Sequence, residues 1–213
     1  MKRYIRSAVK SVSDESLEDQ RSFINDPNTS PDILRQLFEG RNPAYWREDY
    51  YICLDLAKSP NTPVDILKQL SDREFDSGIR QYVAENPSTP ADILVDMYND
   101  GVAEMDVMYA IAGNPNTPSD LLDTLSMKHT SLEAFKSDFD RLRAYVASNS
   151  NTAPDTLDYL ANDDSPYVRW TVAANPNTPI DALKRLLEDD NVSVQDHLGK
   201  NPNINKVLKE LGA

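Results

Sequence analysis

Cysteine and glycine are scarce in this chain of 213 residues. Cys53 is its single cysteine, so the chain can form neither an internal disulfide nor a metal site built from several thiolates. Its 6 glycines offer few positions for tight hairpin turns, and strict alternation of apolar and polar residues is rare. These shortages exclude a disulfide-stapled fold and disfavour a fold built on β-sheets.

Long apolar runs and an excess of basic residues are missing as well. No segment approaches the ~20 apolar residues that span a bilayer, and the opening MKRYIRSAVK lacks the apolar run of a secretory signal. Asp and Glu total 35 against 22 Lys and Arg, which gives a formal net charge of −13. Because affinity for phosphate groups is built from Lys and Arg, the sequence predicts no nucleic-acid or membrane partner. We expect a cytoplasmic protein, and a basic protein or peptide is the natural complement of its charge.

Motifs that carry chemistry are also absent from the sequence. There is no glycine-rich phosphate loop and no GxSxG nucleophile elbow. Neither His129 nor His197 has a second histidine or a cysteine at metal-ligand spacing, and Cys53 lies in an apolar helical run. We interpret His197 and Cys53 as packed residues and His129 as a solvated one. The sequence therefore predicts a non-enzymatic protein without catalytic residues, metal or cofactor.

A four-residue motif returns seven times along the chain. It reads DPNT, SPNT, NPST, NPNT, NSNT, NPNT and NPNI, beginning at residues 26, 59, 86, 114, 149, 175 and 201. Four of the six intervals measure 26 to 28 residues, whereas the other two measure 33 and 35. The long intervals predict insertions at about Gly40–Tyr50 and Met127–Phe139. Repetition at this period is typical of solenoids, in which each unit buries its apolar side only against its neighbours.

Signals that start and stop helices lie inside and around the motif. Thr62 suits an N-cap, because its hydroxyl can accept a bond from a free backbone N–H, and Pro63 then occupies the first helical position. Asp65 falls at the third position, on the favourable end of the helix dipole. Asn86 can adopt the left-handed conformation that follows a helix, and the proline after it bars continuation. We therefore interpret the recurring acids as helix starts rather than as an acid–base site.

Apolar spacing assigns two helices to each unit. Ile79, Tyr82 and Val83 form one stripe on the helix before a motif, and Leu67 and Leu70 form another on the helix after a motif. Neither helix can bury its stripe alone, so neighbouring units must stack. The sequence predicts an all-α repeat solenoid of about six to seven short two-helix units.

The predicted domain organisation follows from this repetition. We expect a single helical-repeat domain in which residues 23–200 form the repeats. Residues 1–22 and 201–213 are predicted to be caps, because the ends of a solenoid need a polar outer face.

One stretch of the sequence resembles a known family. Residues 168–179 read VRWTVAANPNTP and are followed by an x-D-x-L-x-x-L helix, a combination that resembles the leucine-rich repeat variant family. The resemblance runs from about Phe23 to Pro202. It implies α-helices alternating with short 3-10 helices in a right-handed superhelix, with HEAT-like stacking as a close architectural relative, and it implies an interaction surface. The best-known member also carries a cysteine-ligated iron–sulfur cluster, which the single Cys53 cannot supply here.

Two neighbouring positions on the helix before each motif indicate where a partner could bind. Corresponding residues of stacked units form ladders, and these two ladders carry arginines and large aromatic residues, which interfaces favour at their energetic centres. The predicted strip consists of Arg80, Tyr109, Arg143, Arg169 and Trp170. Alternatively, the arginines pair with acids of a neighbouring unit, such as Asp163 or Asp164. Trp46 is a further candidate, because insertions in repeat arrays often project on the binding face.

Three functions remain open from the sequence. A scaffold that binds a protein or peptide through its repeat face and insertions fits best. An acidic mimic of DNA, which would inhibit a nucleic-acid-binding protein, is the alternative that the negative charge permits. A HEAT-like enzyme acting on DNA is disfavoured, because it would need a basic groove.

Overall fold

The computed structural model describes residues 12–39, 41, 47–101 and 104–212. Its regular secondary structure is helical, and no strand occurs in these ranges. After a 3-10 helix at Val12–Asp14, the α-helices are α1 (Leu17–Asn25), α2 (Pro31–Phe38), α3 (Arg47–Lys58), α4 (Val64–Leu70), α5 (Ser77–Glu85), α6 (Ala91–Asn99), α7 (Met105–Gly113), α8 (Ser119–Ser126), α9 (Glu133–Ser148), α10 (Pro154–Leu160), α11 (Pro166–Ala174), α12 (Ile180–Leu186), α13 (Val192–Leu198) and α14 (Ile204–Glu210). The prediction of an all-α fold is confirmed.

The helices stack in chain order within two compact units, residues 1–93 and 94–213. Odd-numbered helices precede a motif and even-numbered helices follow one. In the first unit, α1, α3 and α5 form a row, and α2 and α4 pack beside it. In the second unit, α7, α9, α11 and α13 form one row, and α8, α10, α12 and α14 form another. The predicted repeat stack is confirmed within each unit, and the handedness of a superhelix stays a prediction.

The repeat of α11 and α12 illustrates how the apolar spacing builds the core. Val168 and Val172 lie one helical turn apart on α11 and are fully buried, as is Leu183 on α12. Burying a side chain of this size contributes roughly 1.5–3 kcal/mol. Because each helix covers only its neighbours, the core extends along each unit from repeat to repeat.

The threonine of the motif closes the helix before it. The Thr178 hydroxyl donates to the Val172 carbonyl oxygen at 2.6 Å, whereas α12 begins at Ile180 with Pro179 as its N-cap. The last carbonyls of a helix have no partner inside the helix, so a buried hydroxyl is needed there. The same bond is made by Thr62, Thr89, Thr117 and Thr152. The prediction that Thr62 caps the start of the following helix is wrong.

The first residue of the motif is an extended, buried asparagine. Asn175 has φ −71° and ψ 126°, and among the described residues only glycines have positive φ. Its side-chain nitrogen donates to the Ala147 and Asn149 carbonyl oxygens of the preceding repeat, at 2.7 and 3.2 Å. Its side-chain oxygen accepts the backbone N–H of Asn177 at 2.8 Å. The left-handed prediction for Asn86 and its equivalents is wrong, because asparagine is required here for its side chain.

These asparagines form a ladder that connects neighbouring repeats. Each donates to two backbone carbonyls of the preceding repeat, and each is at least nine-tenths buried. Members of this buried asparagine ladder include Asn86, Asn149, Asn175 and Asn201. A second, outer ladder is made by the third residue of the motif, which donates to the carbonyl oxygen of the second residue of the preceding motif. Its members include Ser88, Asn151, Asn177 and Asn203. Asn151 donates to the Thr117 carbonyl oxygen as well, at 3.4 Å.

Several expectations about individual segments change. The second insertion, Met127–Phe139, is helical from Glu133 onward and lengthens α9 to 16 residues. Short 3-10 helices, which the family resemblance implies, do not alternate with α-helices in the described repeats, where even-numbered helices are α-helical. The division into repeats and caps stays a prediction. None of the helices described is both long and apolar enough to cross a membrane.

The buried asparagine ladder leads to a prediction about stability. We expect Asn175→Ala to lower the free energy of unfolding by about 2–4 kcal/mol, because it leaves buried carbonyls of the preceding repeat without their donor. Urea denaturation followed by circular dichroism measures the change. The control is Asn177→Ala on the outer ladder, where the exposed side chain gives up one bond and the expected cost is under about 1 kcal/mol. Equal losses in the two variants would contradict this role.

Candidate functional site

Arg143 of α9 clamps the linker that follows α10. The Arg143 side chain is 5% exposed, and its Nε and Nη2 donate to the two carboxylate oxygens of Asp163, at 2.6 and 3.1 Å. It also donates to Asp140 at 2.8 Å and to the Lys128 carbonyl oxygen at 3.1 Å. This is the pairing with Asp163 that the sequence offered as the alternative to partner binding.

Other members of the same ladder make equivalent contacts. Arg169 donates to both carboxylate oxygens of Asp189, at 2.6 and 3.1 Å, across the same separation of 20 residues. Gln195 donates to the carbonyl oxygen of Leu186 at the end of α12 and to those of Leu187 and Asp189 in the linker before α13. Arg80 is buried and donates to the Ser71 carbonyl oxygen. Within the chain these side chains hold the linkers against the helices. Partner binding through the arginines of the predicted strip stays a prediction.

The ion pair between Arg169 and Asp189 changes the pKa of the Asp189 carboxyl. The hydrogen bond from Arg169 lowers the pKa of the Asp189 carboxyl below its ordinary value, against the opposing effect of burial, and the backbone N–H of Asn191 adds to the lowering. The charged form of this carboxylate therefore stabilises the fold.

The aromatic residues of the predicted strip differ in exposure. Tyr109 is 7% exposed, its hydroxyl donates to the Asp138 carbonyl oxygen at 3.2 Å, and burial raises its pKa to about 12. Its ring stacks on Tyr145 with centroids 5.6 Å apart, and the Arg141 guanidinium lies over it at 4.8 Å. Trp170 is only half-buried, and its ring contacts Tyr167 at 5.4 Å and His197 at 4.6 Å between centroids. Of the predicted strip, Trp170 is therefore the aromatic member that reaches solvent.

These contacts define a surface on α9, α11 and α13. We call it the aromatic face, and its members are Arg141, Tyr145, Tyr167, Trp170 and His197. Sequence reasoning missed Arg141, Tyr145 and Tyr167, although two signals could have found them. Tyr167 and Trp170 lie three residues apart and Arg141 and Tyr145 four apart, spacings that place each pair on one side of a helix.

A shallow pocket of about 290 Å³ opens in the aromatic face. Pro166, Tyr167 and Trp170 line it from α11, and Asn191 and Ser193 line it from the start of α13. The side-chain oxygen of Asn191 accepts the backbone N–H groups of Ser193 and Val194, which fixes that wall. Aromatic walls with a few placed polar groups suit an apolar side chain of a peptide.

The remaining residues singled out in the sequence lie elsewhere. Trp46 falls outside the described residues. Cys53 is fully buried, and burial raises the pKa of its thiol to about 12, in keeping with a packed side chain. His129 is exposed, with Nε2 at 3.4 Å from the Tyr159 hydroxyl oxygen. His197 packs on Trp170, and its Nδ1 lies 2.7 Å from the Ser193 carbonyl oxygen.

Comparison with known proteins bears on the fold. No family model and no curated protein matches this chain. A solved structure described as "a leucine-rich repeat variant with a novel repetitive protein structural motif" is similar to it, with 20% sequence identity and a TM-score of 0.51. The similarity covers 88% of this chain and 72% of the other. At this identity the likeness establishes the fold, so the resemblance seen in the motif is confirmed at that level.

The lowered pKa of Asp189 predicts how stability depends on pH. Its folded-state pKa lies below the unfolded value of about 3.9, so its contribution is present above that value and is lost as pH falls through the folded pKa. We expect Asp189→Asn to be less stable than the wild-type chain by about 1–3 kcal/mol near neutral pH. This difference should shrink as pH falls below about 4. Urea denaturation across this pH range measures it.

The neighbouring exposed carboxyl supplies the control for this experiment. Asp190→Asn removes the same formal charge one residue further along, and no hydrogen bond or ion pair of that side chain occurs among the described residues. It should change stability by less than about 0.5 kcal/mol. A constant difference between Asp189→Asn and the wild-type chain across the pH range would refute the clamp as an ionic interaction.

Proposed function

We propose that this chain is a non-enzymatic interaction scaffold that binds a protein or peptide through its aromatic face. The observation that carries the proposal is the group of Tyr167, Trp170 and Arg141, in which Tyr167 and Arg141 are exposed and Trp170 is half-buried. A large aromatic ring exposed at the surface gains the most from a partner that covers it. Tyr, Trp and Arg are also the residues that dominate binding energies at interfaces.

The Arg141 guanidinium supports this use of the face. It lies over the rings of Tyr109 and Tyr145, at 4.8 and 5.8 Å, which fixes its position. No ion pair involving it occurs in the part of the chain that the structure describes. An exposed, oriented guanidinium suits a carboxylate or a carbonyl of a partner.

The positions of the recurring acids favour a scaffold over an enzyme. Asp120, Asp155 and Asp181 lie in the first turns of α8, α10 and α12, which are successive helices of one row. Helices packed in a row are about 8–10 Å apart, so such acids are spread along the stack. Acid–base chemistry instead requires groups that converge on one substrate atom.

Quantitative affinity capture tests the proposal. The full chain and a Tyr167→Ala/Trp170→Ala variant are used as baits, and proteins that bind directly are then titrated in purified form. We expect the double variant to weaken binding by at least about thirtyfold, corresponding to about 2 kcal/mol for lost interface anchors. Unfolding curves show whether the variant keeps its fold.

The matched control is Tyr159→Ala on α10. Tyr159 and Tyr167 are both 44% exposed, but Tyr159 lies on an even-numbered helix outside the aromatic face. Equal affinity of the double variant and the wild-type chain for every purified partner would overturn the proposal. Binding that vanishes with moderate salt and ignores the double variant would instead favour the acidic DNA mimic.

A further inference from the structure

We propose that a groove in the first unit, between α2 and α4, binds a positively charged amphipathic segment of a partner protein. The groove has a volume of about 580 Å³ and lies on residues 35–75, away in sequence from every residue of the aromatic face. We call it the acidic groove. The inference is independent of the aromatic face, because the groove uses different residues and a different recognition chemistry.

Apolar side chains line part of the acidic groove. Phe38 at the end of α2 and Phe75 in the linker after α4 are half-buried, and Ile66 of α4 completes this lining. A volume of several hundred Å³ accommodates more than one side chain, which exceeds what a bound ion or a single small cation needs. The lining therefore selects for a ligand with apolar side chains.

The two arginines in the groove are already neutralised within the chain. Arg35 donates through Nε and Nη2 to both carboxylate oxygens of Asp65, at 2.9 and 3.0 Å. Arg41 is largely buried and donates to Asp49 at 2.8 Å and to the Leu37 carbonyl oxygen at 2.8 Å. Their positive charges are matched before any ligand arrives, so they offer little to an anionic partner.

Three carboxylates in the lining remain without a cation. Glu39, Asp72 and Glu74 are exposed, and no ion pair involving them occurs within the described ranges. The Asp72 side chain accepts only the backbone N–H of Glu74, at 3.0 Å. Uncompensated carboxylates beside an apolar lining complement Lys or Arg side chains that flank apolar ones.

The net charge of −13 acts in the same direction at longer range. It attracts a basic segment and speeds its encounter with the chain, while the groove selects where that segment settles. An amphipathic helix that presents apolar residues on one side and lysines at its edges fits both parts of the lining.

Fluorescence anisotropy with labelled synthetic peptides tests this inference on the full chain. The probe is an amphipathic peptide with leucines on one helical face and lysines beside them. Two further peptides serve as comparisons, a scrambled peptide of the same composition and an amphipathic peptide with glutamate in place of lysine. We expect the amphipathic lysine peptide to bind at least about tenfold more tightly than either comparison peptide.

Two variants locate the binding. A Glu39→Gln/Asp72→Asn/Glu74→Gln variant should weaken binding of the lysine peptide by at least about tenfold. A Phe75→Ser variant should weaken it by a similar factor, because the apolar contact is lost. The matched control neutralises three exposed carboxylates of the second unit, Asp155→Asn/Glu188→Gln/Asp190→Asn, and should change affinity by less than about twofold. All of the neutralised side chains are exposed, so these triple variants are expected to keep their fold.

Several outcomes would overturn the inference. An equal loss of affinity in the groove variant and the control variant would mean that the peptide senses only overall charge. Equal binding of the scrambled peptide would exclude recognition of an amphipathic shape. Self-association of the chain that competes with the peptide would assign the groove to a second copy instead.

One variant separates this inference from the proposal about the aromatic face. The Tyr167→Ala/Trp170→Ala variant should bind the peptide with wild-type affinity, so failure of the aromatic-face proposal is distinguishable from failure of the acidic-groove inference.

Discussion

A buried asparagine side chain that bonds backward to the preceding repeat is the interaction on which this structure depends. Its amide group both donates and accepts, so it satisfies backbone carbonyls of one repeat and a backbone N–H of its own linker together. The first two motifs have another residue in place of this asparagine, and each of those residues makes only part of the asparagine's hydrogen bonds. The Ser59 hydroxyl donates to the Ile24 carbonyl oxygen at 3.1 Å, which replaces the donating bonds. The Asp26 carboxylate accepts the backbone N–H of Asn28, which replaces the accepting bond. Asparagine combines both roles in one residue.

The backward bonds also fix the register in which side chains of neighbouring repeats meet. The residue five positions before one motif contacts the residue four positions before the next. This relation pairs Tyr109 with Tyr145 and Trp170 with His197. It pairs Arg21 with Asp55 in the first unit, where the same two positions form an ion pair instead. The ring contacts of Tyr145 and Trp170 in the aromatic face therefore follow from the backbone register combined with aromatic residues at these two positions.

The sequence predicted the helices, their order and the stacking, because motif spacing and apolar stripes are local signals that recur. It placed Arg169 and Trp170 on one strip, but adjacent residues on a helix point about 100° apart. Arg169 therefore reaches Asp189 in the linker, whereas Trp170 packs on the rings of Tyr167 and His197. An aspartate follows both Arg143 and Arg169 at a distance of 20 residues, and this repeated spacing is the sequence signal that predicts the two ion pairs. The role of Asn175 was beyond local reasoning, because its partners are carbonyls of the preceding repeat that stacking brings near. The Thr178 hydroxyl bonds a carbonyl at the end of the helix just before it, so the prediction assigned this threonine and its equivalents to the wrong helix end.

The most direct test of the account is nuclear magnetic resonance of the asparagine side-chain amides. If Asn175 bridges two repeats, its side-chain N–H protons should exchange slowly with deuterium. They should also show scalar coupling across the hydrogen bonds to the Ala147 and Asn149 carbonyl carbons. The exposed amide of Asn177 should exchange much faster. Equally rapid exchange at Asn175 and Asn177, with no coupling to the preceding repeat, would contradict the claim that buried asparagines hold the stack together.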